Sequence, residues 1–385
     1  MTNITQPGAH LRAEIAEQPD RWLELLECRR EIDAAAERIR SVQPKMLVIA
    51  ARGSSDHAGL YAQYLVHNVL GIPVQLATPS TTTIHGKAIS YPPAAMIAIS
   101  QSGASPDLID TVRAARNAGL PVLAFTNAPE SSLALSADTH VPLVAGEEQS
   151  VAATKTYMAE LLALYLLISR IGGQDWPSIM ERTSAAIADA QRALQTLPEA
   201  VTDAVEVLLG ADRALVIGRG YSMATAKEGA LKLTETSAIA ASGWSAADAT
   251  HGPLGQVVPG TPVVALTAAV EARESVTKFA RAASQLGGRI ITFDTESFTT
   301  ADKSLIPLVE ILPLQYTALQ LALRNQGCGW GLNPPVSRSD LAVVCRPRGY
   351  VDRWRGGRGR AGSAAELVNI TVRASPVLEE RDESV

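Results

Sequence analysis

The sequence predicts an α/β protein in which one domain, a parallel sheet with helices on both faces, occurs twice in tandem. Two observations predict the class. Short apolar runs such as "KMLVIA" (45–50), "AMIAIS" (95–100) and "PVLAFTN" (121–127) alternate with helix-like stretches. The runs are continuous, as strands buried on both faces are, rather than alternating. A third observation predicts the duplication. "LVIAARGSS" at 47–55 resembles "LVIGRGYS" at 215–222, "MIAIS" at 96–100 resembles "VVALT" at 263–267, and "PVLAFTN" resembles "RIITFDT" at 289–295. The three pairs lie at nearly one offset, as a repeated domain requires.

The elements follow in order. Residues 1–43 read as a helical segment, because "EIAEQPDRWLELLECRREIDAAAERIR" has apolar residues at helical spacing before Pro44. A first α/β domain at 44–172 takes strands from 45–50, 73–77, 95–100, 121–127 and 140–144. Polar, helical residues at 171–200 connect it to a second domain at 195–325. The tail, 326–385, is rich in Gly, Arg and Pro and has no Lys. It reads as a replaced terminus or a wrong-frame translation and is expected to be poorly ordered.

Composition narrows the function. Hydrophobic content of 46% and charged content of 19% suit a soluble protein with a sizeable core, and 4% aromatic residues leave that core to Ala, Val, Leu and Ile. A net charge of −5 argues against a nucleic-acid partner. Cys28, Cys328 and Cys345 have neither metal nor disulfide spacing and fit a reducing compartment. There is no signal-peptide layout and no apolar run of the ~18 residues a membrane span needs. A cytoplasmic protein without a membrane partner is expected.

Two serine-rich loops suggest an anion site. "RGSS" (52–55) and "SQSGAS" (100–105) follow strands and open helices. Ligands of parallel sheets bind beyond the carboxyl ends of the strands, where helix N-termini offer unpaired N–H groups. Capping would explain any one serine. Two such loops on neighbouring strands favour a small phosphorylated metabolite. Neither a dinucleotide fingerprint nor a P-loop is present.

In "TAKEGALKLTETS", Glu228, Lys232 and Glu235 fall on one helical face. A solvated ion-pair face is the plain reading. The helix, however, opens at the end of a strand, and His251 follows in the turn "THGPLG". A carboxylate can shuttle a proton between adjacent sugar carbons and an imidazole can open a hemiacetal. His10, His57, His67, His85 and His140 read as structural. No spacing suggests a metal, and no cofactor is expected.

The segments "ARGSSDHAGLYAQYL", "SQSGASPDLI", "SVAATKTY" and "EGALKLTETSAIAASGWSAADATHGPLG" together resemble the tandem sugar isomerase (SIS) domains of the glucosamine-6-phosphate synthase family. They resemble more closely its stand-alone relatives, the SIS-type glucosamine-6-phosphate deaminases. The resemblance covers about residues 10–325 and implies two flavodoxin-like domains in a homodimer, with the active site at the subunit boundary. It implies that Gly53, Ser54, Ser55, Ser100, Gln101, Ser102 and Ser105 hold the sugar phosphate and that Val151 lines the sugar pocket. Glu235 matches the base that moves a proton between C1 and C2. Lys232 and Glu228 match its helical neighbours, and His251 matches a ring-opening histidine supplied by the adjacent subunit.

The sequence departs from that pattern twice. Only about 40 helical residues precede the first domain where the synthases have a glutaminase domain, so glutamine-dependent transfer is not expected. The family's C-terminal lysine is missing, since no lysine follows Lys303. The implied reaction is conversion of glucosamine 6-phosphate to fructose 6-phosphate and ammonia. Galactosamine-6-phosphate deaminase, fructosamine-6-phosphate deglycase and a non-catalytic sugar-phosphate sensor are the alternatives.

Overall fold

The structure, a computed structural model, describes residues 7–293, 299–300, 302–325 and a short strand at 370–372. Three helices, α1 (Ala9–Ala16), α2 (Gln18–Leu26) and α3 (Arg29–Ser41), form the N-terminal segment. They bury Trp22, Leu25, Leu26, Ile32 and Ile39 against the main body.

The first sheet is made by β1 (Met46–Ala50), β2 (Val74–Leu76), β3 (Ala94–Ser100), β4 (Val122–Thr126) and β5 (Thr139–Pro142). Its order is β2-β1-β3-β4-β5 and every pairing is parallel. The crossovers contain α4 (Ser54–Val69), α5 (Pro79–Thr83), α6 (Pro106–Asn117) and α7 (Ser132–Ser136). Helix α8 (Lys155–Ile171) follows the sheet and is buried from Lys155 to Ser169. This explains its nearly unbroken apolar sequence, because a helix covered all round needs no polar face.

Helices α9 (Trp176–Ala200) and α10 (Thr202–Leu208) connect the halves, as the polar stretch predicts. The second half contains β6 (Arg213–Gly218), α11 (Ser222–Ser237), β7 (Ala240–Ser245), α12 (Ala246–Ala249), β8 (Pro262–Leu266), α13 (Val270–Gln285), β9 (Arg289–Phe293), α14 (Ile306–Glu310), α15 (Leu312–Arg324) and β10 (Ile370–Val372). Its sheet order is β10-β9-β8-β6-β7, again all parallel. Both sheets therefore have the flavodoxin-like order 2-1-3-4-5. The duplication read from short matches is a duplication of topology.

Two elements differ from the sequence reading. Strand β7 is built from "AASGWS", which has little β propensity. Ala238 stops α11 in a left-handed conformation (φ 54°), and register with β6 then fixes the strand. At the other edge, Ile370–Val372 pairs parallel with β9 in the place β5 takes in the first sheet. These three residues of the tail are thus ordered into the fold. The remainder of the tail, with Cys328 and Cys345, lies outside the described residues. The stretch Lys303–Arg324 is long and apolar enough to cross a membrane, but 89% of its apolar 18-residue window is buried inside the protein, where α14 and α15 work as core helices.

The two halves meet through their first helices. Tyr221 at the start of α11 packs its ring against Tyr61 and Tyr64 of α4, and its hydroxyl accepts a hydrogen bond from Asn68 at 2.9 Å. This contact brings the carboxyl end of β1 close to α11.

Candidate active site

The first loop leaves β1 through Gly53, which has φ 59° and ψ −130°, a conformation side chains rarely adopt. Ser54 and Ser55 then begin the 16-residue α4. The unpaired amides and partial positive charge of this helix end face the loop. Neither serine is consumed by capping. Ser54 Oγ accepts from Lys232 Nζ at 3.3 Å, and Ser55 Oγ donates to Glu160 Oε1 at 2.7 Å.

The second loop leaves β3, the strand beside β1, so the two loops flank the switch point of the sheet. Ser100 Oγ accepts from the Gly103 amide at 3.1 Å, and Ser102 Oγ accepts from the Ala104 amide at 3.4 Å. Gly103 has φ 60°, and a Cβ there would lie 2.1 Å from Ser131 Oγ. Only glycine fits. Ser105 occupies the N-cap of α6 but makes no side-chain cap hydrogen bond. Its hydroxyl remains available, against the plain capping reading. Arg52 pairs with Asp107, whose carboxyl is also bonded by Thr83; these contacts hold Asp107 below the usual range. A cavity of about 670 Å³ opens beside this loop, lined in part by Gln101, Ser102, Asn127, Val144 and Glu148.

Helix α11 supplies the charged half of the site. Gly243 in β7 permits its close approach, since a Cβ there would meet the Ala226 carbonyl oxygen at 2.4 Å. Lys232 is buried, with Nζ 3.1 Å from Glu228 Oε1 and 2.7 Å from Glu235 Oε2. These are close charge contacts rather than aligned hydrogen bonds, because neither carboxylate oxygen has a well-directed donor. Burial alone would depress the lysine, but Glu228 and Glu235 outweigh it and hold the pKa above the ordinary value. Burial would likewise raise Glu228, yet Lys232 and His57 bring it below the usual range. Glu235 is the more open carboxylate, 30% exposed against 0% for Glu228. A partly exposed carboxylate beside a fixed cation is suited to exchanging a proton with a ligand.

The sequence-predicted residues therefore fall into three groups. Gly53, Ser54, Ser55, Glu228, Lys232 and Glu235 form one connected cluster. Ser100, Gln101, Ser102 and Ser105 form the neighbouring loop. Val151 is half-buried in the segment before α8. His251 stands apart. It is exposed and makes no hydrogen bond or ion pair with Glu228, Lys232 or Glu235 within this chain.

Four further residues also belong here, one read from the sequence as structural and three not singled out. His57 is not merely structural: its Nδ1 lies 2.8 Å from Glu228 Oε2, across the two halves. Glu160 is buried behind Ser55, with its carboxyl pushed up to about 8 by burial. Glu148 Oε1 accepts from the Thr154 and Thr156 amides, and Glu14 on α1 accepts from the Gln149 and Ser150 amides. These last two fix the loop that carries Val151. For His57, Glu160 and Glu14 no local spacing signals the partnership, because the partners come from distant parts of the chain; Glu148 bonds amides six and eight residues on, in a turn without a regular pattern.

Comparison with known proteins gives a consistent result. The SIS domain family model matches residues 42–170 and 207–322. The chain is 36% identical over 242 residues to the isomerizing glutamine–fructose-6-phosphate aminotransferase of Symbiobacterium thermophilum, covering 61% of this chain and 39% of that protein. The chain spans about half, or less, of the length of the curated relatives it matches. Its fold is similar to the C-terminal domain of glucosamine-fructose-6-phosphate aminotransferase from Francisella tularensis (TM-score 0.74, 24% identity, 84% and 97% of the two chains). It is also similar to glucosamine-6-phosphate deaminase from Thermotoga maritima (TM-score 0.67, 18% identity, 82% and 95%).

Proposed function

The chain belongs to the SIS domain family, and from that premise we propose that it converts an amino-sugar phosphate, glucosamine 6-phosphate, to fructose 6-phosphate and ammonia. One observation carries the reading: Lys232 Nζ joins Ser54, in the first anion loop, to Glu235 on α11 by contacts of 3.3 and 2.7 Å. A phosphate held at the loops thus has a proton-accepting carboxylate two short contacts away.

The steps follow from the groups. The amides of α4 and α6 and the hydroxyls of Ser54, Ser55, Ser100, Ser102 and Ser105 grip the phosphate, with Gln101 beside them. His251 of a second copy opens the sugar ring; the exposure of this histidine suits a role across a homodimer boundary. Glu235 takes the C2 proton of the open-chain aldehyde, giving an enolamine, and returns a proton to C1. The C2 imine so formed adds water and expels ammonia, leaving the ketone of fructose 6-phosphate. Lys232, 2.7 Å from its carboxylate, holds Glu235 in place.

Purified protein given glucosamine, galactosamine and fructosamine 6-phosphates in parallel tests the reading. Ammonia release from the first, lost in Glu235→Gln, supports it. Ammonia release from either of the others alone replaces the substrate, and binding without turnover of any replaces the enzyme with a sensor.

A further inference from the structure

The proposed mechanism leaves the fully buried carboxyl group of Glu160 without a task. Glu160 lies on the second turn of α8, 1% exposed, and its Oε1 is 2.7 Å from Ser55 Oγ. Its other oxygen, Oε2, is buried with no partner. A serine hydroxyl has a single proton to donate. While Glu160 is a carboxylate it can only accept, so Ser55 must spend that proton on the protein. Once Glu160 is a carboxylic acid it can donate to Ser55 Oγ, and the serine proton is free to turn outward.

We propose that Glu160 is a positioning residue whose protonation state decides whether Ser55 donates to bound phosphate or to the protein. The inference rests on the reading of Ser55 as part of a phosphate site. The groups facing Glu160 favour the neutral acid on balance. Burial dominates, the Ser55 hydrogen bond opposes it, Glu148 before α8 and Glu228 on α11 add negative charge, and Lys232 on α11 opposes in turn. Tyr157, on α8 itself, is buried nearby and bears no charge in this range. His57 on α4 is engaged with Glu228. With the carboxyl pushed up to about 8, the acid predominates below that pH and is lost as pH rises through it. Ionisation would also place a negative charge directly behind the phosphate.

The duplicated half supplies an internal control. Glu310 on α14 is 0% exposed beside Ser222 and Thr225 of α11 and the Ala268 amide, and is pushed up to about 7. Its oxygens have no well-aligned partner, although these groups lie close enough to moderate the shift. The matching turn, however, reads "RGYS" in place of "RGSS", with Tyr221 where Ser54 stands in the first, and the Tyr221 ring packs on Tyr61 and Tyr64. A similar buried acid is therefore present beside a turn that lacks the first serine.

Fructose 6-phosphate is the probe, because it has no amine and its phosphate, with a second pKa of about 6, is almost all dianion from about pH 7 upward. Its dissociation constant is measured calorimetrically from pH 6.5 to 9.5 for the wild type, Glu160→Gln, Ser55→Ala and Glu310→Gln. Linkage predicts that wild-type affinity weakens up to about tenfold between pH 7 and pH 9. Glu160→Gln, a permanent neutral donor of the same shape, keeps its affinity across the range. Ser55→Ala binds more weakly at pH 7 and shows a smaller alkaline loss, the part due to the Glu160 charge alone, while Glu310→Gln follows the wild type. A pH-independent wild type, or a Glu160→Gln that weakens in parallel with it, overturns the inference and leaves the phosphate site standing. Absence of saturable binding by the wild type at pH 7 removes both.

Discussion

Replacing Lys232 by Met tests the charged cluster on α11. The substitution keeps most of the side-chain volume and removes the cation lying between Glu228 and Glu235. Glu228 is 0% exposed, so it loses its main counter-charge in a place water does not reach. Breaking a buried pair from one side costs about 3–5 kcal/mol. His57 still faces Glu228 at 2.8 Å, which puts the expected loss near the lower end, about 3 kcal/mol. At roughly 2–4 °C per kcal/mol the melting point should fall by about 6–12 °C. The exposed Lys278→Met is the control and should stay within about 0.5 kcal/mol. The pH dependence has a definite sign. In the wild type Glu228 is held below its unfolded value, so its contribution is present above that value and fades as acid reaches the folded pKa. In Lys232→Met only His57 is left to oppose burial, which lifts Glu228, so the deficit is full at neutral pH and narrows as the solution is acidified. The double variant Glu228→Gln with Lys232→Met removes the stranded charge and should recover most of the loss. Urea unfolding at pH 5 and pH 7 reads all of this. A loss below about 1 kcal/mol, or one that ignores pH and is not recovered in the double variant, would refute the reasoning.

Three further outcomes are expected. His57→Ala removes the contact between α4 and the buried Glu228 and should cost about 2–3 kcal/mol, with His57→Gln recovering part of it; thermal melts check this. Gly103→Ala puts a methyl group into Ser131 at a positive φ, so the second loop must move; fructose 6-phosphate affinity should drop at least tenfold while the far-ultraviolet circular dichroism is kept. Glu235→Gln and His251→Asn should each be inactive alone, and their co-refolded mixture should regain about a quarter of wild-type activity if the two residues meet across a two-fold boundary.

The fold was legible because its signals are local. Continuous apolar strands, the helices between them and two similar copies of "LVI" followed by a glycine turn led directly to two parallel sheets. What escaped was decided by contacts distant in sequence. Strand β7 has small residues and little intrinsic preference, and only pairing with β6 makes it a strand. Residues 370–372 took their place through pairing with β9. The site divides in the same way. Ser54, Ser55 and the Glu228–Lys232–Glu235 face were visible from turn chemistry and helical spacing. His57 and Glu160 were not, since one is paired across 171 residues and the other across 105. His251 was singled out for its turn, yet among the described residues its side chain has no hydrogen-bond or ion-pair partner in the cluster of Glu228, Lys232 and Glu235.

The most direct test of the central claim follows fructose 6-phosphate and ammonia together from glucosamine 6-phosphate, with hydrogen or deuterium at C2, in the wild type and Glu235→Gln. Equal release of both products, slowed by C2 deuterium and abolished in Glu235→Gln, is the predicted result. Undiminished turnover in Glu235→Gln, or a sugar phosphate that binds and releases neither product, would contradict it.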